Sequence, residues 1–419
     1  MYASATFSVV AFACLAVTLL FEQQAVIIPE NQHTLGNTGS RQETSASSPL
    51  REFWHNGSRN NTGFVAFGDS YSAGIGTGVD GKEDDCRQGI HAHAQLIAAD
   101  RGPTAFQFLS CTGATTANVM AGGENSQIDS FNASLPADFA LLSVGGNDLG
   151  FFDVMNACVF RFYNFYSGTC EAAIAHSRAN LESDEFEIRL RIVIMEILDK
   201  IRWEKKPRFT ITMTGYARFF NELTDGCDDM SFGIWWYGPK LTKKLRSDMN
   251  ALVLTVNAKL HKTINAINAD FTEDKVLFVD YDNAFEGHRF CEPNVTEPDY
   301  GRADTWFFLV GGQDNARNGT QSRRLSDIKT LSPTSPLVDP SSCLEPARRT
   351  GDWGMLALCY MAIAKHHDPT LRFAHENIVV DLSSRWYVPT YYGKTFHPRS
   401  LGHETIRDQI YKKWRALDG

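Results

Sequence analysis

Short apolar runs alternating with helical patterns predict an α/β domain whose mostly parallel central sheet is covered by helices. Two observations carry this. The runs are continuous in apolar character, as strands buried on both faces require, and stretches of helical periodicity separate them. In order, the runs are FVAFGD at 64–69, TAFQFLSCTG at 104–113, DFALLSVGGND at 138–148, RFTITMTGY at 208–216 and KVLFVDYD at 275–282. NIVVDLS at 377–383 is a sixth candidate. Helices are expected at about 88–100, carrying His91 and His93, at about 181–203, at about 240–268, and over the C-terminal RSLGHETIRDQIYKKW.

One such domain from residue 63 to the end suits a chain of 419 residues, which is long enough for a large core. Residues 26–62 are rich in Ser, Thr, Asn, Gln and Gly and read as a flexible lead-in. The stretch from about 301 to 352 breaks the rhythm and is too long for an ordinary connection, so it reads as an insertion or lid. Ahead of all this, Ala3 to Phe21 form an apolar run of roughly 19 residues without preceding basic residues. A signal peptide over 1–25 is expected, with a retained membrane anchor as the alternative. Five Asn-x-Ser/Thr sequons, at Asn56, Asn60, Asn132, Asn294 and Asn318, fit export and glycosylation. Nine cysteines, eight of them beyond the leader residue Cys14, fit disulfides in a secreted protein. A net charge of −9 argues against a nucleic-acid partner, and Lys243, Lys244 and Arg246 read as a solvated helix face.

In an open parallel sheet, ligand sites form beyond the carboxyl ends of the strands. Three of the expected strands end there in small-residue turns: Gly68-Asp69-Ser70, Cys111-Thr112-Gly113 and Gly145-Gly146-Asn147-Asp148. A serine, backbone N–H groups and an asparagine amide are what acyl transfer needs, namely a nucleophile and donors for a developing oxyanion. The base must come from elsewhere. In YYGKTFHPRSLGHETI, His397 stands in a loop before Pro398, free to lean over the serine, while His403 falls at the start of the last helix as a structural or rim residue. The GxSxG signature is absent, because position 72 is serine.

Taken in chain order, GDSYSAG, the glycine in SCTGATT, GGND and the late FHPRSLGH resemble the GDSL, or SGNH, hydrolases. The resemblance spans nearly everything after residue 63. It implies a flavodoxin-like three-layer α/β/α sandwich and a cofactor-free, metal-free esterase site. Ser70 would be the nucleophile and His397 the base, with the Ser70 N–H, the Gly113 N–H and the Asn147 side chain as oxyanion donors. Many members carry Asp three residues before the histidine; here Lys394 stands there. The chain is more similar to the secreted, disulfide-containing esterases of actinobacteria, in which a backbone carbonyl at that position orients the histidine. The Lys394 carbonyl is therefore expected to accept from Nδ1 and fix the tautomer. The same subgroup implies disulfides Cys86–Cys111, Cys158–Cys170 and Cys227–Cys291, leaving Cys343–Cys359 by elimination.

Other residues invite chemistry less strongly. Neighbouring side chains point apart, so Asp69 is read as holding its loop by hydrogen bonds, and Asp148 as holding its turn. SFGIWWYGP at 231–239 suits core packing as well as an acyl or sugar pocket. His366-His367 and the HAH at 91–93 lack the companion spacing of a metal site. The expected protein is a secreted, monomeric serine esterase acting on a small-molecule, lipid or polysaccharide ester through an acyl-enzyme. Alternatives are a carbohydrate O-acetylesterase, an acyltransferase, and a non-catalytic surface- or carbohydrate-binding protein on the same fold, although Ser70, Asn147 and His397 are all intact.

Overall fold

The computed structural model describes residues 62–78, 85–123, 125–160, 169–232, 239–309, 312–316 and 390–416. Outside these lie the leader, nearly all of the lead-in, the strand candidate at 377–383, most of the 301–352 stretch and the aromatic residues at 235–237. Cys343, Cys359, His366, His367, Asn56, Asn60 and Asn318 also lie outside the described residues.

Five strands form one sheet: β1 Gly63–Gly68, β2 Ala105–Phe108, β3 Phe139–Ser143, β4 Thr210–Thr214 and β5 Val276–Val279. Their order is β2-β1-β3-β4-β5, and every pair is parallel. β1 to β4 are almost wholly buried, which is why they read as continuous apolar runs. Phe64 stacks between Phe106 and Phe139 at 4.4 and 4.8 Å, tying β1 to both neighbours in register. The strand order reverses between β1 and β3, and that switch point is where a cleft opens at the carboxyl ends.

The main helices are α1 His93–Arg101, α2 Cys170–Glu182, α3 Asp184–Ile201, α4 Lys243–Asn268 and α5 Ser400–Ala416. The helix expected at 181–203 is α3, and α2 before it was not expected. Ser183 ends α2 and accepts from Glu185 N as the cap of α3, whose first turn carries Asp184, Glu185 and Glu187. The helix expected at 88–100 starts only at His93, leaving His91 in the preceding turn. α4 buries Met249, Val253, Val256, Leu260, Ile264 and Ile267 at helical spacing, and packs on α2, α3 and β5. α5 packs on α1. Its Trp414 meets Phe139 edge-on at 5.0 Å and donates Nε1–H to Thr212 at 2.9 Å, which fastens it to the sheet.

One expectation is overturned. Arg246 is not part of a solvated face but fully buried. Its guanidinium donates to the carbonyls of Leu241, Asn221 and Thr224 and pairs with Asp228 at 2.7 Å. A buried charge is tolerable only with such a full set of partners, and the loop it grips is the one that Cys227–Cys291 also staples.

His93 on α1 and His403 on α5 are both buried, with rings stacked at 5.6 Å, and His403 Nδ1 accepts from His93 N at 3.2 Å. Burial pushes the His93 imidazole down to about 4 and His403 lower than usual, with His93 as a further cause. The unfolded chain therefore takes up protons first, so this pair costs stability as pH falls from 6.5 toward about 4. A His93→Asn variant lacks that liability. Its stability deficit against wild type, from urea unfolding at pH 7.5 and 4.5, should shrink by about 2–3 kcal/mol at the lower pH. A constant deficit would mean that burial does not perturb the pair.

Candidate active site

β1 runs out at Gly68, where φ is +135° and an added Cβ would lie 2.1 Å from the Ser143 carbonyl oxygen on β3. Glycine is what lets the chain leave the sheet this close to its neighbour. Asp69 then caps the helical turn Ser70–Ala73, its Oδ1 accepting Tyr71 N–H at 3.0 Å. This sets Ser70, 7% exposed, at the floor of the cleft. Its Oγ is 2.6 Å from His397 Nε2.

His397 arrives on a loop between the turn Thr390–Gly393 and α5. That loop is held by the first residues of the 301–352 stretch. Phe308 N donates to the His397 carbonyl and Phe396 N to the Phe308 carbonyl, both at 2.9 Å, and Phe307 bridges to Pro398. Tyr71 O–H donates to the Phe396 carbonyl at 2.7 Å, tying the loop to the serine turn. Nδ1 donates to the Thr395 carbonyl at 3.1 Å. The Lys394 carbonyl accepts from the His397 main-chain N–H at 2.9 Å and, with the Thr395 carbonyl, also acts on the His397 ring. The Lys394 ammonium lies over Phe308 instead, 4.7 Å from its centroid. Burial lowers the His397 pKa to about 4, against the upward pull of the Thr395 and Lys394 carbonyls. The ring is neutral at physiological pH, with its Nε2 lone pair toward Ser70.

Across the cleft stands Gly113, at φ +86° with nothing within 4 Å of an added Cβ. Its loop is fixed by Cys86–Cys111, by Cys111 N donating to Gly68 O at 2.9 Å and by Thr112 N donating to Cys86 O at 3.1 Å. Asn147 follows β3 and spends one amide N–H on the Ala114 carbonyl at 2.9 Å, which leaves the other for the cleft. Asp148 accepts from Thr116 N and Oγ1 and holds the turn. Asp69 likewise faces away from the serine: its Oδ2 accepts from Tyr216 O–H at 2.8 Å. Burial pushes Asp69 up to about 7 despite that bond. His403 lies fully buried behind the site and is not on its rim.

The cleft spans about 1080 Å³ counting the solvent space at its open mouth. Ser70, Gly113, Asn147 and His397 line it together with Leu149, Phe151, Met155, Leu252, Val253 and Val256. A turn over Phe151–Met155 and one face of α4 supply those walls. Cys158–Cys170 ties the segment just beyond that turn to α2. All three disulfides implied by the resemblance form. Asn132 and Asn294 are exposed.

Four contributors escaped the reading of the sequence: Tyr71, Tyr216, Thr395 and Asp314. Asp314 accepts from Gly78 N at 2.9 Å and from Ser400 N at 2.8 Å, pulling the start of α5 against the loop after the serine turn. Only Tyr216 carried a usable signal, as the polar residue just past a strand end in RFTITMTGY.

Residues 66–300 match the GDSL-like Lipase/Acylhydrolase family. This is more than half of the chain, which belongs to that family and is a hydrolase of ester bonds. His397 lies beyond the matched region, so its place in the site comes from the fold. Among curated relatives, a lipase of Streptomyces rimosus is 30% identical over 232 residues, covering 55% of this chain and 74% of that one. Lipase 1 of Streptomyces coelicolor is 34% identical over 159 residues, covering 38% and 53%. The solved structure of phospholipase A1 from Streptomyces albidoflavus NA297 matches with TM-score 0.45 and 28% identity, covering 60% of this chain and 88% of that one.

The two cleft glycines differ in a testable way. Gly68→Ala drives a Cβ into backbone and should fail to fold. Gly113→Ala meets only backbone strain, about 1–2 kcal/mol, and should remain folded with a modestly lower Tm. A Gly113→Ala variant that unfolds would reveal crowding that the fold does not show.

Proposed function

We propose that this chain is a secreted serine esterase that cleaves acyl-lipid esters through a covalent acyl-enzyme on Ser70. The observation that carries the reading is the 2.6 Å contact between Ser70 Oγ and His397 Nε2, with Nδ1 bound to a carbonyl. Ser70 Oγ attacks the ester carbonyl while Nε2 takes its proton. The Ser70 N–H, the Gly113 N–H and the free Asn147 amide N–H stabilise the oxyanion. Collapse expels the alcohol, which receives that proton, and water then hydrolyses the acyl-enzyme by the same steps. The Thr395 carbonyl fixes the tautomer throughout, with the Lys394 carbonyl assisting from the adjoining turn. It stabilises the imidazolium less than a carboxylate would.

The apolar walls favour a substantial acyl chain over an acetyl group, and the name lipase carried by both curated relatives agrees. Three disulfides support an oxidising, extracellular setting. Exposed Asn132 and Asn294 are suitable glycan acceptors. Among the described residues, no helix is long and apolar enough to cross a membrane.

A series of p-nitrophenyl esters from acetyl to long acyl tests this directly. Ser70→Ala should lower kcat by about 10⁴-fold or more, and wild type should prefer medium or long chains. Val256→Trp should shift the optimum toward shorter ones. A preference for acetyl, or turnover that survives Ser70→Ala, would reject the acyl-lipid reading or the nucleophile respectively.

A further inference from the structure

The ends of β1, β3 and β4 all deliver residues to the cleft, and one side chain bonds to two of these loops from the third. Tyr216 stands two residues past the end of β4. β4 adjoins β3 and not β1, so the phenol must cross the end of β3 to reach the serine turn. It donates to Asp69 Oδ2 at 2.8 Å and accepts from the Gly146 N–H at 3.1 Å. Asp69 caps the turn that begins with Ser70, and Gly146 precedes Asn147. The Tyr216 ring meets Tyr71 edge-on at 5.1 Å. Its main chain is gripped on both sides by Asn257 of α4, which accepts from Tyr216 N at 2.9 Å and donates to Tyr216 O at 2.8 Å.

We propose that Tyr216 is the positioning residue that sets the separation of nucleophile and oxyanion donors, by joining Asp69 to the Gly146 N–H through one phenol oxygen. It touches none of the reacting atoms and acts through the two turns it joins. The inference rests on the roles given above to Ser70 and Asn147. A hydroxyl offers one donor and two acceptor directions, so movement of either turn lengthens one of the two bonds. Misplacement by about 1 Å can cost about 100-fold in rate. A stiff aromatic side chain clamped to α4 is a suitable fixed point against such movement.

The bridge also has a pH signature. Asp69 is faced by Tyr71 from its own turn, Tyr216 from β4, Asp148 from the loop after β3, and Tyr281 from beyond β5. His397 lies past Tyr71, with the two rings 4.8 Å apart. Burial raises Asp69 to about 7, and the Tyr216 hydrogen bond is the leading opposing influence. Protonating Asp69 weakens its hold on the phenol, so kcat should fall partway as pH drops through about 7. Full loss belongs to His397, at about 4.

Tyr216→Phe keeps the ring and the Asn257 clamp and deletes only the bridge. On p-nitrophenyl butyrate, kcat should fall about 10- to 100-fold with KM within about twofold of wild type. Binding of an alkyl boronic acid, which mimics the tetrahedral oxyanion on serine, should weaken in step. The partial step in kcat near pH 7 should disappear, because without the phenol hydroxyl protonating Asp69 no longer loosens a bridge. Unchanged kcat, or a raised KM with unchanged boronate binding, would overturn the proposal. If Tyr216→Phe does not fold, Asp69→Asn decides: it keeps the shape but puts one amide oxygen where two carboxylate oxygens served the Tyr71 N–H and the phenol, and with no titrating group there the step near neutrality must vanish. A step that persists overturns the proposal. Ser70→Ala, assayed alongside, keeps the two readings apart. Turnover surviving there discards the nucleophile assignment, whereas dead Ser70→Ala beside normal Tyr216→Phe discards only the bridge.

Discussion

Everything in the site depends on holding Ser70 and His397 within one hydrogen bond although 327 positions separate them in the chain. Closing so long a loop costs only a few kcal/mol in entropy, because that cost grows with the logarithm of length. Precision is the harder demand. It is met by fastening the base loop from several sides: Phe308 pairs with it, Tyr71 bonds its carbonyl, and α5 begins three residues later under the hold of Asp314. Phe396, just before the histidine, sits at φ +65°, a region costly for a bulky residue. Its ring lies within about 5–6 Å of Phe219, Phe220, Phe232 and Phe290. That packing over-determines the strained backbone and is what lets it persist.

The electrostatics follow from the same burial. A histidine in this setting resists protonation, and only carbonyl oxygens oppose that tendency. Asp69, the nearest carboxyl on the serine turn, is turned away and bonded to Tyr216 and Tyr71 N. Its field therefore reaches the imidazole only weakly, and its work is to hold backbone. The two successive side chains point apart, so Ser70 meets His397 while Asp69 meets Tyr216.

Strands were the most legible part of the molecule. Their two-sided burial writes itself as unbroken apolar runs, and all five described strands fall where those runs stand. Helix limits were less legible because caps decide them, as Ser183 does in ending α2 and starting α3. The small-residue turns at strand ends announced Ser70, Gly113 and Asn147, since backbone must leave a crowded sheet there. What composition hid were the contacts that depend on distant chain. Nothing local marks Thr395 as the carbonyl under Nδ1, or Asp314 as the anchor of α5. Arg246 misled for the same reason: beside two lysines it looks solvated, and only the loop folded over it supplies its acceptors.

The apolar cleft and the polar network are usually treated as separate devices, one for binding and one for chemistry. Here they share walls. Tyr216 and Tyr71 line the cleft while their hydroxyls hold the turns beneath it. On the proposed function, an acyl chain entering between α4 and the Phe151 turn would displace water from the same space. Hydrogen bonds in a drier, lower-dielectric setting strengthen and are costlier to leave unmade. Filling the cleft should therefore stiffen the bonds from Tyr216 to Asp69 and from Ser70 to His397 together. On the proposed function a long acyl chain would contribute more than affinity: it would complete the exclusion of water around Ser70, His397 and the proposed oxyanion donors.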